Sequence, residues 1–285
     1  METIEMIDIK SERFPQRLRE ISDPPGQLYC LGDTSLLNSR SVAVVGSRKN
    51  TVYGKNVALM IGKRLAECGI PVVSGLALGV DAFSHEGALN AEGKIIGVLG
   101  SGIDMMSPER NKRLMERGLE MGGLIISEYP PGMPASKYTF PKRNRIISGL
   151  SESVIIVEAG LNSGSLITAR HAANQGKTVY AVPGNINSKS SIGCNLLVRD
   201  GAIPLIVIDD VVRDLGIEIN PADDEIYELD EDEKTVFDSV RSRSGATIDE
   251  ICADTMILPS RVNSLITVME IKGLVESYAG RIYAK

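Results

Sequence analysis

The chain has little of what builds a metal centre or a covalent scaffold. Its 285 residues include 2 histidines and 4 cysteines. Cys30, Cys68, Cys194 and Cys252 form no C-x-x-C pair, which argues against a zinc site and against a disulfide framework. They read as reduced, packed thiols of a cytoplasmic protein, and neither a metal nor another cofactor is expected. No apolar run follows a basic start, and none approaches the ~20 residues that span a bilayer. Neither a signal peptide nor a membrane span is therefore expected. The familiar nucleotide motifs are missing as well. There is no G-x-x-x-x-G-K-[ST], and G-x-G-x-x-G is absent after the first core strand, where Arg48 stands at the second glycine's place. No G-x-S-x-G elbow and no carboxylate cluster of the Mg²⁺-nuclease kind occurs. A net charge of −6 excludes a wholly basic nucleic-acid coat protein.

That charge is unevenly spread. Residues 221–285 carry 7 Lys/Arg against 14 Asp/Glu, so the acidity is C-terminal and the first 220 residues are close to neutral. A basic face on the first domain is compatible with this balance. After a leading segment over residues 1–32, with a short helix in Phe14–Ile21 and an edge strand in Leu28–Leu31, a strand–helix rhythm begins. Apolar runs predict strands at Val42–Val45, Pro71–Val73, Ile95–Leu99, Leu124–Ile126, Val154–Val157, Thr178–Val182 and Ile203–Val207. Amphipathic stretches between them predict helices at Gly54–Cys68, Val80–Asn90, Ser107–Met121, Pro141–Leu150, Ser165–Gln175 and Gly193–Arg199. This pattern is that of an α/β, Rossmann-like doubly wound, mostly parallel sheet covered on both faces. Ligands of such sheets sit beyond the carboxyl ends of the strands. Five of the seven strand ends carry a glycine within four residues, which favours a crevice lined by backbone N–H groups.

The stretch Tyr138–Arg170 concentrates the chemistry. Lys137, Tyr138, Phe140, Lys142, Arg143 and Arg145 form a basic, aromatic segment, and no carboxylate lies between Glu128 and Glu152. After the next strand, Asn162-Ser163-Gly164-Ser165 opens a helix. Cations, helix-start amides and aromatic faces together suit an anionic ligand carrying a flat ring. Arg48 is a phosphate-clamp candidate, and Arg170 with His171 stands on the later helix. Glu158, at a strand tip, is the one plausible general base. His85 and Glu86, near Asp81, read as packing or helix-surface residues.

Residues 221–233 hold eight acidic side chains and read as a solvated linker. Beyond it, residues 234–285 predict helices at Lys234–Ser242, Thr247–Ala253 and Pro259–Ile271, then a hairpin. Thr247 and Glu250 have capping-box spacing. Three helices and a hairpin make a winged-helix domain. Its offered contacts, Arg261, Asn263, Ser264 and Lys272, stand in a strongly acidic region, which favours a protein-interaction or weak DNA-binding module.

Several stretches together resemble the DNA-processing protein A (DprA/Smf) family: VAVVGSRKNTVYG, VVSGLALGVDAFSHEGAL, VLGSGIDMMSPERN, ISEYPPG, FPKRNRIISGLS and VEAGLNSGSLITARHAANQGKTVYAVPG. The likeness covers roughly residues 13–285. A sterile-alpha-motif-like domain that precedes the core in some members is expected to be absent or reduced to residues 1–32. The resemblance implies a non-enzymatic, homodimeric protein of natural transformation and recombination. Such a protein binds single-stranded DNA, protects it, relieves its coverage by single-strand-binding protein and loads the RecA recombinase. It also implies a DNA pocket lined by Gly46, Ser47, Arg48, Lys142, Arg143, Asn144 and Arg145, with Phe140 as a stacking face. Ser163, Gly164 and Ser165 are implied as donors to phosphate, with Arg170 nearby. Two other readings stand beside it. One is a nucleotide-processing enzyme similar to the phosphoribohydrolases, though their P-G-G-x-G-T-x-x-E pattern is missing. The other is a recruitment scaffold acting through the C-terminal domain.

Overall fold

The computed structural model describes residues 3–217, 229–243, 245–271, 273–278 and 280–284. The chain divides into two compact units, residues 1–219 and 220–285.

The first unit is built on a nine-stranded sheet. Two strands, β1 (Glu5–Asp8) and β2 (Gln27–Gly32), run antiparallel to each other, and β2 lies antiparallel to β6. The others, β3 (Val42–Val45), β4 (Val72–Ser74), β5 (Ile95–Leu99), β6 (Leu124–Ser127), β7 (Ser153–Ile156), β8 (Thr178–Ala181) and β9 (Ile203–Pro204), are parallel. The order is β1-β2-β6-β5-β4-β3-β7-β8-β9. The chain thus winds outward from β3 to β6, then returns to lay β7 against the other side of β3. That reversal opens a crevice at the carboxyl ends of β3 and β7.

Every side chain of β3, β6 and β7 is buried, as continuous apolar strands covered on both faces require. Successive residues serve opposite layers. Ala43 and Val45 pack with Ile146 and Ile147 of α5 (Thr139–Leu150) and with Ala169 and Ala172 of α6 (Ser165–Asn174). Val42 and Val44 pack with Ala58, Ile61 and Leu65 of α2 (Val52–Glu67) and with Val80 and Ala88 of α3 (Val80–Asn90). Helices α2 and α3 touch backbone to backbone. A Cβ at Gly62 would overlap the Ser84 carbonyl oxygen, and one at Gly87 would overlap that of Leu59.

Several expected boundaries shift, each for a local reason. The strand expected as an edge, β2, is internal, because the short β1 pairs along its outer side. The helix over Phe14–Ile21 contracts to α1 (Gln16–Arg19). The helix expected from Ser107 begins as a 3-10 turn over Glu109–Asn111, and α4 proper is Lys112–Glu120. There the Asn111 side chain donates to the carbonyls of Leu76 and Ala77, at 2.9 and 3.0 Å, drawing the turn onto the loop after β4. The strand expected over Ile203–Val207 ends at Pro204; Leu205 donates one last bond to Ala181 O at 2.9 Å. After α7 (Ile192–Arg199) and β9, the chain forms α8 (Asp209–Asp214). No helix among the described residues is long and apolar enough to cross a membrane.

In the second unit, helices α9 (Glu231–Arg241), α10 (Ile248–Thr255) and α11 (Pro259–Ile271) enclose a small core with a hairpin of β10 (Val275–Tyr278) and β11 (Arg281–Ala284). Most of the expected acidic linker, residues 221–228, lies outside the described residues. Its last part does not form a linker: Glu231, Asp232 and Glu233 are the first turn of α9, where negative charge suits the helix dipole. Asp230 and Glu233 form a capping box there, and Thr247 and Glu250 form the expected one on α10.

Candidate nucleic-acid interface

The crevice at the reversal has a volume of about 660 Å³. Three segments frame it: the loop after β3, one face of α5, and the turn that leads into α6. The first two follow from spacing and from glycine. Phe140, Arg143, Asn144 and Ile147 recur at helical intervals and turn one face of α5 inward. The loop after β3 lies against α3, where Val80 N donates to Ser47 O at 3.2 Å. Gly79, at φ +85°, makes this possible, since any Cβ there would overlap the Ser47 carbonyl oxygen.

The cations of the region fall into two groups. Arg48, Lys49 and Lys137 line the crevice, and none forms an ion pair with any described residue. The Arg48 guanidinium lies over the Phe140 ring, 5.2 Å from its centroid, so a cation and an aromatic face stand together at the opening. Sequence reasoning did not select Lys49; its place one residue after Arg48 in a strand-end loop was the available signal.

The second group works inside the protein. Arg143 reaches the crevice floor but is 3% exposed. Its guanidinium donates to Gly75 O at 2.8 Å and to Val98 O, tying the ends of β4 and β5 together. Asp81 is its buried counter-charge, and accepts from Gly75 N at 3.0 Å. Burial pulls the Arg143 pKa down to about 10 and pushes that of Asp81 up, while each charge opposes the other's shift. Arg145, expected in the pocket, is not there. It lies on the other side of α5, 4% exposed, held by Asp23 at 2.9 Å and Glu128 at 2.6 Å. The Arg145 bond holds the Asp23 carboxyl below the usual carboxylate range. Lys142 shares that side of the helix, 3.5 Å from Glu128. Neither Lys142, Arg145 nor Arg170, which is exposed on α6, borders the crevice.

The turn before α6 contributes fewer free amides than expected. Ser163 N donates to Gly160 O at 3.0 Å, and Ser165 N to Ser163 Oγ at 3.4 Å. Leu166 N and Ile167 N close short turns onto Ser163 O and Gly164 O. Among the described residues the Gly164 amide is left unpaired. The Ser163 and Ser165 hydroxyls are 2.8 Å apart; one donates to the other, which leaves one proton for a ligand. Asn144 Nδ2 donates to Gly164 O at 3.3 Å and joins α5 to this turn.

Glu158, the expected general base, is absent from the crevice. It is 2% exposed, and its carboxylate accepts from Thr51 N at 2.8 Å and Thr51 Oγ1 at 2.7 Å. It braces the end of β7 against the start of α2, so closely that a Cβ at Gly54 would overlap it. His85 is wholly buried between the layers, its pKa pushed down to about 3 by desolvation. His171 is half-buried and shifted down by burial, then by Arg170. No group of three or more His, Cys, Asp or Glu side chains among the described residues is placed to hold a metal ion.

Comparison with known proteins gives a consistent result for both units. The family described as DNA recombination-mediator protein A matches residues 5–216, and the DprA winged helix domain matches residues 220–281. Protein Smf of Escherichia coli (strain K12) is 38% identical over 272 residues, covering 89% of this chain and 73% of its own. DNA processing protein DprA of Streptococcus pneumoniae (strain ATCC BAA-255 / R6) is 42% identical over 194 residues, covering 68% of each. The crystal structure of DprA from Streptococcus pneumoniae superimposes with a TM-score of 0.69 at 39% identity, over 76% of each chain. A structure describing the single-stranded DNA binding mode of DNA processing protein A from Helicobacter pylori gives a TM-score of 0.67 at 33% identity, over 75% of this chain and 98% of that one. With the sheet, the winged helix and these likenesses in agreement, the chain belongs to the DNA recombination-mediator protein A (DprA/Smf) family.

Proposed function

We propose that this chain is a non-enzymatic mediator that binds single-stranded DNA in the crevice at the β3–β7 reversal. In this reading it shields the strand in the cytoplasm, relieves its coverage by single-strand-binding protein, and presents it to RecA during recombination or natural transformation, acting as a homodimer. The observation that carries the binding step is the unpaired Arg48 guanidinium over the Phe140 ring at the crevice opening. A cation and a π-face side by side match the two repeating parts of a single strand, phosphate and base. Gly46, Ser47, Asn144, Ser163, Gly164 and Ser165 supply the polar lining around them. Commitment of both Glu158 oxygens to Thr51 speaks against base-catalysed nucleotide hydrolysis. In the second unit Arg261 is held by Asp232 at 3.1 Å and Asp230 at 3.7 Å, which favours a protein-docking role over duplex reading.

The test is titration of a labelled oligo-dT at several salt concentrations. Three free cations at the crevice, at ~0.7 each for a single strand, give a slope of log K against log salt near about −2. Arg48→Ala should reduce that slope by roughly 0.7. Binding that ignores salt, or an unchanged slope in Arg48→Ala, overturns the reading. Assembly of RecA on a strand already covered by single-strand-binding protein tests the mediator step, and sedimentation equilibrium tests the dimer.

A further inference from the structure

Thr168 sits one turn into α6, on the face that lines the crevice. It is 1% exposed, and its hydroxyl has no hydrogen-bond partner among the described residues. Nor is it sealed away. Among the described residues, the fully enclosed side-chain polar atoms that lack a partner belong to His85, Glu128, Tyr129, Ser153 and Gln175. The small area that Thr168 exposes is therefore its Oγ1, and that atom faces the crevice.

This is unusual for a helical threonine, whose hydroxyl commonly bonds the carbonyl four residues back. Thr235, Thr255 and Thr267 of this chain do so, at 2.7, 2.8 and 3.0 Å. For Thr168 that carbonyl is Gly164 O, which already accepts from Ile167 N at 3.2 Å and Asn144 Nδ2 at 3.3 Å. Asn144 thus takes the place that the Thr168 hydroxyl would otherwise fill. A nearly buried hydroxyl with no protein partner is a donor that a ligand in the crevice can use.

We infer that the first turn of α6 is an uncharged phosphate seat for the bound strand, with Thr168 Oγ1 as its deepest donor. The Gly164 amide and the spare proton of the Ser163–Ser165 hydroxyl pair are its other two donors. Asn144 acts as a positioning residue that keeps the Thr168 hydroxyl turned toward the ligand. The inference rests on the single-stranded DNA reading above and adds a specific division of labour. Arg48, Lys49 and Lys137 supply attraction that counterion release makes salt-sensitive. The α6 seat supplies hydrogen bonds that release no counterion, and so adds affinity without adding to the slope.

Thr168→Val tests this, because it removes the hydroxyl and keeps the shape. Folding is not at risk, since no intramolecular hydrogen bond is lost; the melting temperature should hold or rise. Affinity for labelled oligo-dT should fall about tenfold, the scale of a hydrogen bond to a charged group, with the salt slope unchanged and affinity largely kept in Thr168→Ser. Asn144→Ala should weaken wild type but have little further effect on Thr168→Val. Competition by dTMP and by inorganic phosphate separates a strand phosphate from a free one. Under the inference both compete only weakly, since neither carries the chain of phosphates that the crevice cations hold. Inorganic phosphate or dTMP competing as strongly as the oligonucleotide does would make the seat a free-phosphate site and overturn the strand assignment. Oligonucleotide affinity unchanged in Thr168→Val, or a slope that falls as it does in Arg48→Ala, overturns the seat while wild-type binding still stands. Failure of the wild-type protein to bind oligo-dT would instead remove the underlying reading.

Discussion

Arg143→Met is the substitution that best separates a cation serving the strand from one serving the fold. Read from its neighbours in sequence, Arg143 is one more phosphate contact. In the structure it is 3% exposed, its guanidinium bonds Gly75 O and Val98 O, and the buried Asp81 supplies the opposing charge. Methionine keeps much of the volume but leaves Asp81 without its counter-charge in a site where burial already pushes that carboxyl up. Leaving the buried Asp81 charge without compensation, and Gly75 O and Val98 O without their charged donor, costs about 3–5 kcal/mol, because the remaining charge keeps its desolvation penalty. The full-length protein should lose that much in urea unfolding followed by far-ultraviolet circular dichroism. Under conditions where it remains folded, its oligo-dT salt slope should match that of wild type. A variant of near-wild-type stability whose slope falls by roughly 0.7 would refute this reasoning and return Arg143 to direct phosphate contact.

Further expectations follow the same logic. Phe140→Ala should weaken oligo-dT binding by about 1–3 kcal/mol, the worth of a stacked base, with an unchanged salt slope in the same titration. Stability should fall as pH drops below about 6.5 toward 3: His85 has its folded pKa lowered to about 3, so the unfolded chain takes up the proton first, costing roughly 1.4 kcal/mol per pH unit. Thermal melts across that range should flatten in His85→Leu, and an equally steep curve in the variant would exclude His85 as the source. Glu158→Gln should lower the melting temperature through the lost charge-assisted bonds to Thr51, while incubation with nucleoside monophosphates releases no base in either protein. Gly62→Ala should destabilise by about 3 kcal/mol or more in urea unfolding, because the new methyl meets the Ser84 carbonyl rather than a mobile side chain.

The doubly wound sheet was legible because its strands are buried on both faces and therefore read as unbroken apolar runs. The position of the crevice followed from the same pattern, since glycine-rich strand ends mark it. What escaped was decided by partners distant in sequence. Arg145 looks like its neighbours until Asp23 and Glu128, 122 and 17 residues away, are brought against it. The strand Glu5–Asp8 is short and half polar, with only Ile7 buried, so its register with Gln27–Cys30 is what identifies it. Glu158 sits where a catalytic base belongs, but Thr51 turns it inward. Thr168 carries no local signal at all. Its free hydroxyl is visible only once Asn144, on another helix, is seen to hold the carbonyl it would have used.

The backbone contact between α2 and α3 constrains how a strand is received. The loop bearing Arg48 is strung between β3 and α2 and also props the start of α3, and those two helices cannot slide past each other at Gly62 and Gly87. The receiving surface is thus already set, and the loss of conformational freedom on association falls on the DNA. Purine tracts that stack on themselves must be pulled apart before a base lies on Phe140, whereas thymine runs arrive unstacked. Pyrimidine runs should accordingly be held more firmly than adenine runs, by a margin that reflects the stiffness of the strand and no reading of its letters.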